Sequence, residues 1–285
     1  LFPGLPGGSE AGAALASHRG VDKVTLIGSV GAGRAVMRAA SDTLKPVLLE
    51  LGGKNALIAY PDSNPDAVAN AIVAGMNFGW CGQSCGSTSR AFLYDDLHDA
   101  VVERLAKAVS RFKPGLPTDP ATTMGALVGR EHFDRVMGYI ASGKAEGARV
   151  VTGGNAVTEG AMAGGCFVEP TIFADVTPDM RVAREEIFGP VLVLRRWSDE
   201  TTVMGEVNGL DVGLTCSIWS RDLATAHRAA RRVEAGFVWI NEVGRHFLGA
   251  PFGGYKQSGL GREEGIGELI SFTQEKNVHI NLAGQ

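Results

Sequence analysis

Apolar and polar positions alternate along this chain in two registers, and the order of those registers predicts an α/β protein. Lys23-Val24-Thr25-Leu26-Ile27, Pro46-Val47-Leu48-Leu49-Glu50, residues 56–59 and Ala91-Phe92-Leu93-Tyr94 are short β-rich runs and read as strands. Residues 34–40 and 67–77 lie between them and read as helices. Leu97, Val101, Leu105, Val109 and Phe112 recur at helical spacing, one apolar face that Pro114-Gly115-Leu116-Pro117 ends. A helix over about 131–146 precedes a strand Arg149-Val150-Val151-Thr152, and residues 153–165, with five glycines, read as surface loop. Strands over 191–196, 214–219 and Phe237-Val238-Trp239-Ile240-Asn241 follow, with a helix over 222–233. Asn277-Val278-His279-Ile280-Asn281-Leu282 reads as a short edge strand, on which His279 is a surface residue rather than a ligand.

Composition narrows the function classes. The 285 residues are 45% apolar and 20% charged, those of an ordinary globular protein, enough for one or two domains. A net charge of −4 and a pI of about 5.9 leave no basic footprint for nucleic acid. No apolar run approaches the roughly 18 residues of a membrane span. Four cysteines (81, 85, 166 and 216) are too sparse for a disulfide scaffold, so the expected setting is a reducing cytoplasm. A Cys81/Cys85 zinc pair lacks two further ligands at plausible spacing, and no metal is expected. Leu1-Phe2-Pro3-Gly4-Leu5-Pro6-Gly7-Gly8 has no Met and no secretory pattern, and reads like the middle of a domain.

Three stretches carry candidate chemistry. Phe78-Gly79-Trp80-Cys81-Gly82-Gln83-Ser84-Cys85-Gly86-Ser87-Thr88-Ser89-Arg90 sets two cysteines among small residues, where free backbone N–H groups can favour a thiolate nucleophile. Taken alone, the pair reads equally well as buried inert thiols. Gly28-Ser29-Val30-Gly31-Ala32-Gly33 joins a strand to a helix, the unit that brings N–H groups to a phosphate, although its glycine spacing is not the dinucleotide fingerprint. Glu50-Leu51-Gly52-Gly53-Lys54 follows a strand end, where burial would raise the Glu pKa and suit it to general-base work. A lone Glu there is more often a solvated strand terminus.

Together these stretches resemble the NAD(P)-dependent aldehyde dehydrogenase superfamily. Gly82-Gln83-Ser84-Cys85 with Arg90 is similar to its G-Q-x-C nucleophile loop, and Glu50 to Lys54 match E-L-G-G-K. Glu185-Glu186-Ile187-Phe188-Gly189-Pro190 resembles E-E-x-F-G-P, and residues 251–263 resemble P-F-G-G-x-K-x-S-G-x-G-R-E. The resemblance implies Cys85 as nucleophile, Glu50 as the group that activates water, and Glu263 as a proton-transfer assistant. It implies that Gly28, Ser29, Gly33, Leu51, Gly52, Glu186 and Phe188 lie around an NAD or NADP cofactor. The implied fold has a partial Rossmann-type cofactor region (1–52), an α/β catalytic domain (53–257) and a C-terminal segment (258–285) whose strand serves a homodimer or homotetramer.

The implied reaction oxidises a small-molecule aldehyde to a carboxylic acid through a thiohemiacetal and a thioester. A CoA-acylating relative would not need Glu50, and a non-catalytic one would need neither Glu50 nor Cys85. Trp80 stands where many members carry Asn, so Trp80, Phe247 and Phe252 are expected to wall the substrate pocket. Aromatic walls suit an aromatic substrate and a quaternary ammonium group alike. The family's second oxyanion donor, an Asn, and its adenosine-ribose clamp belong to an upstream segment outside this sequence. The expectation is therefore the C-terminal part of a longer enzyme, not competent by itself.

Overall fold

The computed structural model describes residues 3–284; Leu1 and Phe2 of the opening stretch lie outside them. The first elements are α1 (Ser9–Ser17), β1 (Val24–Gly28), α2 (Val30–Ser41), β2 (Val47–Leu51), β3 (Ala56–Ala59) and α3 (Pro65–Gly75). A 3-10 turn at Phe78–Trp80 leads to β4 (Arg90–Tyr94), α4 (Asp95–Val109), α5 (Arg130–Ala145), β5 (Arg149–Thr152), β6 (Thr171–Ala174) and α6 (Arg181–Arg184). Then come β7 (Val191–Trp197), α7 (Glu200–Asn208), β8 (Val212–Gly213), β9 (Thr215–Trp219), α8 (Leu223–Arg232) and β10 (Phe237–Ile240). The described chain finishes with β11 (Tyr255–Lys256), β12 (Gly259–Leu260) and α9 (Ile266–Ile270).

Seven strands form the main sheet in the order β10-β9-β3-β4-β7-β6-β5, parallel throughout except for β5 against β6. Parallel strands covered on both faces need apolar side chains on both, which is why β3, β4 and β7 read as unbroken hydrophobic runs. Leu57, Ala59 and Leu93 pack with α3 and α4 on one face. Ala56, Ile58 and Phe92 pack with α7 and α8 on the other. A third cluster seats α5 and α6 on Phe173, Val191 and Val193.

The second sheet has the order β1-β2-β12. β1 and β2 are parallel, and β12 returns antiparallel with Gly259 opposite Glu50 and Leu260 opposite Leu49. A Cβ on Gly259 would lie 2.3 Å from the Leu49 carbonyl oxygen, so only glycine permits this approach. Ser258, fully buried, locks the return: its Oγ donates to the Gly52 carbonyl (2.8 Å) and accepts from the Gly213 N–H (2.9 Å).

Helix α2 starts four residues before the expected 34–40 because Ser29 caps it, accepting from the Ala32 N–H at 3.2 Å. α1, β6 and α7 are absent from the sequence reading. α1 is rich in small residues and buries only Ala16, and β6 is four residues long, so neither writes a period. Residues 277–282 form no strand: Val278, Ile280 and Leu282 are exposed, and an extended segment without a neighbour has no partner for its backbone groups. No helix among the described residues is long and apolar enough to cross a membrane.

Ser258→Ala should leave the buried Gly52 carbonyl and the half-buried Gly213 N–H unpaired and cost about 2–4 kcal/mol. The expected outcome in thermal denaturation of the native protein is a Tm lower by several degrees, with no change in helix content at 20 °C, a temperature on the order of maximum stability.

Candidate active site

Glu50 sits one residue before the end of β2, and its carboxylate is taken out of water by the return of β12 and by the 251–254 turn. The side chain is 2% exposed, and neither carboxylate oxygen has a hydrogen-bond partner among the described residues. A Cβ on Gly253 would lie 2.8 Å from Glu50 Oε1, so the glycine turn covers the carboxyl closely. Burial, followed by the charge of Glu263, pushes the Glu50 pKa up to about 8.

The nucleophile loop turns sharply after α3 through three left-handed residues: Asn77 (φ 55°), Cys81 (φ 56°) and Gly82 (φ 65°). Asn55 Nδ2 donates to the carbonyls of Cys85 (2.6 Å) and Ser87 (3.0 Å), while its Oδ1 accepts from the Thr215 N–H (3.1 Å). Buried Arg90 donates from Nε to the Lys54 carbonyl at 2.8 Å and reaches the carbonyls at the end of α7. The Arg of the motif is therefore a scaffold for the loop.

The two cysteines face different surroundings. Cys81 is buried beside Met124, Leu127 and Val136, and its thiol donates to the Gly125 carbonyl at 3.1 Å. Burial holds its pKa up at about 11. Cys85 is half-buried and opens onto a cleft of about 500 Å³. Burial pushes its thiol up too, opposed by the N–H of Gly86 and reinforced by Glu50 and Glu186. The expectation that the turn by itself favours the thiolate is thus reversed: desolvation outweighs the N–H groups.

Gly28, Ser29 and Gly52 form one wall of this cleft, Trp80 and Cys85 another, and Glu186 and Phe188 a third. Glu186 Oε1 accepts from the Gly53 N–H at 3.1 Å, and burial raises its pKa against that bond. A Cβ on Gly52 would lie 2.0 Å from Glu186 Oε2. Gly82 is similarly required, since a Cβ there would meet the Gly189 oxygen at 2.2 Å. Two motifs distant in sequence are thereby packed backbone to backbone.

The model of the aldehyde dehydrogenase family matches residues 1–278. The chain belongs to that family. It is 56% identical over 284 residues to aldehyde dehydrogenase tropH of Talaromyces stipitatus, covering 98% of this chain and 55% of that protein. It is 42% identical over 282 residues to a betaine aldehyde dehydrogenase of Brucella anthropi, covering 99% and 58%. The NAD+ complex of an aldehyde dehydrogenase from Bacillus cereus superposes with a TM-score of 0.90 at 39% identity, covering 95% of this chain and 54% of that one. The chain thus spans about half the length of these aldehyde dehydrogenases.

Not every residue expected at the site lines the cleft of this family member. Gly33 and Leu51 face each other instead: a Cβ on Gly33 would lie 2.6 Å from Leu51 Cδ1, so the glycine seats α2 on β2. Phe252 is 3% exposed, packed at a tilt against Phe237 and against His246, the latter with ring centroids 4.6 Å apart, and is a buried support rather than a pocket wall. Phe247 lies half-exposed under Arg245, also outside the cleft. Glu263 is paired through its backbone to Phe252, and of the neighbouring charges it raises the Glu50 pKa most; burial raises its own pKa.

Sequence reading missed Lys54, Asn55, Ser258, His132 and Arg135. Lys54 is 2% exposed with no partner for Nζ among the described residues, and burial pulls its pKa down to about 7. Asn55 and Ser258 stand within or beside quoted motifs, but their bonds join segments far apart. His132 and Arg135 lie on the cleft from a helix whose apolar pattern alone was legible.

Glu50 gives a pH signature. An unfolded Glu ionises near 4.5, whereas the folded one keeps its proton to about 8, so the folded state is favoured below the unfolded value and loses that advantage as pH rises through this window. Urea denaturation of the native protein and of Glu50→Gln should show the variant more stable at pH 8.5 by a few kcal/mol, with the difference largely gone at about pH 4.5. Parallel stability curves across that range would rule out a buried, neutral Glu50.

Proposed function

We propose that this protein oxidises an aldehyde to a carboxylic acid with NAD(P)+, through a covalent intermediate on Cys85. The observation that carries the reading is Cys85 opening onto the same cleft as Glu186 and Phe188, with the buried carboxyl of Glu50 near enough for its charge to push the thiol up. The residues present fit the nicotinamide end of the cofactor: a glycine cradle at Gly52, a half-buried acid at Glu186 to accept ribose hydroxyls, and the Phe188 ring as an apolar wall. When bound, the nicotinamide supplies the acceptor for the aldehyde hydride.

The Cys85 thiolate adds to the carbonyl carbon, and the backbone around Cys85 and Gly86 offers N–H groups toward the resulting oxyanion. Loss of hydride from that carbon leaves a thioester on Cys85. Glu50, once ionised, takes a proton from water; the hydroxide adds to the thioester, the C–S bond breaks, and the thiolate and acid are released. The charge of Glu263 acts on Glu50, which supports a part for it in moving that proton. A carboxylate this well buried suits water activation, which favours hydrolysis over transfer to CoA.

The substrate is a small aldehyde, with Trp80 at the mouth of the cleft as its aromatic wall. The exposed apolar alternation of Val278, Ile280 and Leu282 supports pairing with a second copy in a homodimer or homotetramer. Four free cysteines are compatible with a reducing cytoplasm.

Cys85→Ala should abolish aldehyde oxidation in the native protein, whereas Cys81→Ala should retain the chemistry. Iodoacetamide labelling read by mass spectrometry checks this: inactivation that tracks modification of Cys81 would sink the assignment. Glu50→Gln should preserve a near-stoichiometric burst of NAD(P)H in rapid mixing and then turn over slowly. The native deacylation rate should rise with pH through about 8, as the carboxylate forms, and that rise should vanish in the variant. Loss of the burst with cofactor binding intact would place Glu50 before hydride transfer instead.

A further inference from the structure

The cover over Glu50 is closed by a single backbone bridge. Phe252 and Glu263 pair antiparallel, each donating its N–H to the other's carbonyl at 2.8 Å. On one side of the bridge the chain runs directly into the Gly253 turn that lies over the Glu50 carboxyl. On the other side it carries Arg262 and Glu263, the two charges that act on Glu50 most.

His246 touches both sides of this bridge. Its ring lies against Phe252, with centroids 4.6 Å apart, and nearly parallel to Phe237 at 5.9 Å. Its Nδ1 lies 2.8 Å from Glu264 Oε1; a carboxylate only accepts, so Nδ1 carries the hydrogen. Glu264 needs such a hold. Its φ is 63°, a left-handed backbone, and its Oε2 is buried with no partner among the described residues. The backbone of Glu264 is tied on both sides: its N–H donates to Glu268 Oε2 and its carbonyl accepts from the Gly249 N–H, each at 2.8 Å.

The loop that carries His246 is fixed at its start as well. Trp239 Nε1 donates to the Arg245 carbonyl at 2.7 Å. A Cβ on Gly75, where α3 ends before the nucleophile loop, would lie 2.5 Å from Val243 Cγ2. Residues 243–249 thus run from the root of the nucleophile loop to the cover of Glu50.

Resting on the dehydrogenase reading, in which Glu50 activates water, we propose that His246 is a positioning residue for thioester hydrolysis: by gripping Phe252 and Glu264 it keeps the Phe252–Glu263 bridge shut over the Glu50 carboxyl. It acts through that closure and not on the reacting atoms. If the bridge loosens, water reaches Glu50 and Glu263 moves away, and both changes lower the pKa that burial and Glu263 hold at about 8. The other charged groups acting on Glu50 are Arg262, Glu264 and Glu268, with Cys85 on the cleft side. A positive charge on His246 also acts on Glu263, so grip and charge have to be separated.

The test uses the native protein with an aldehyde that supports turnover, and follows the NAD(P)H burst and the deacylation rate across pH in H246F, H246N, E264L and the H246F/E264L double variant. H246F keeps a ring on Phe252 but loses the bond, and its deacylation plateau should fall roughly three- to tenfold, the range of one hydrogen bond. The midpoint of its deacylation rise should move below the native one by roughly half a pH unit or more. Burst amplitude, burst rate and the dinucleotide Kd should stay as in the native protein. H246N, whose amide nitrogen stands where Nδ1 stood and which carries no charge, should recover most of the loss. E264L should show the same loss, which reports the bond independently if H246F does not fold, and in its background H246F should add almost nothing. A native deacylation profile in H246F, a burst that falls with it, or full additivity with E264L would each overturn the role. Failure of H246N to rescue would assign the effect to the imidazole's charge and overturn it too. A deacylation rise that persists in Glu50→Gln would instead overturn the water-activating reading of Glu50, and this role with it.

Discussion

The four residues 52–55 cross from the small sheet to the large one while fully buried, and their backbone groups must find partners without water. Side chains from remote segments supply them. Ser258 takes the Gly52 carbonyl, Glu186 the Gly53 N–H and Arg90 the Lys54 carbonyl, while the Asn55 side chain grips the carbonyls of the nucleophile loop. Satisfying one buried crossover therefore brings the C-terminal turn, the acid of the cofactor cleft and the cysteine loop to one place. The glycines of this crossover serve the same demand, since a side chain at Gly52 would occupy the position of the Glu186 carboxyl.

Burial also sets the charge state of the site. Glu50 is pushed up to about 8, Lys54 is pulled down to about 7, and Cys85 and Glu186 are both pushed upward. Each group is thereby moved toward its neutral form, and desolvation is the leading cause in every case. The site leans toward its uncharged state, with Glu50 ionising at about 8 and Lys54 at about 7, and a nucleophile and a base of this kind need not stand ionised together. Neighbouring groups of like charge repel, and a shift of each toward its neutral form lessens that cost.

The α5 helix joins these two themes. Its apolar side packs Val136 and Ile140 into the core, and its polar face holds the Glu185–Phe188 loop against the nucleophile loop. The same helix thus serves the core and the wall of the cleft at once.

The sequence by itself determined the α/β class, the strands from β1 to β4 and the central helices, and its motifs, through their resemblance to a known family, singled out Cys85 and Glu50 as candidates. The elements are local facts, a period of two or 3.6 and a glycine cluster between them. Only the tertiary structure decided that Phe252 is a buried support, that Gly33 and Leu51 pack against each other away from the cleft, and that Cys81 points into a core while Cys85 faces the cavity. It alone decided, too, that the Cys85 thiol is raised rather than lowered. Which side of a sheet or loop a residue faces, and how much water it keeps, depends on partners such as Ser258, which bonds to a carbonyl 206 positions earlier. No local period encodes that separation; the closing of one sheet edge and the desolvation that follows do.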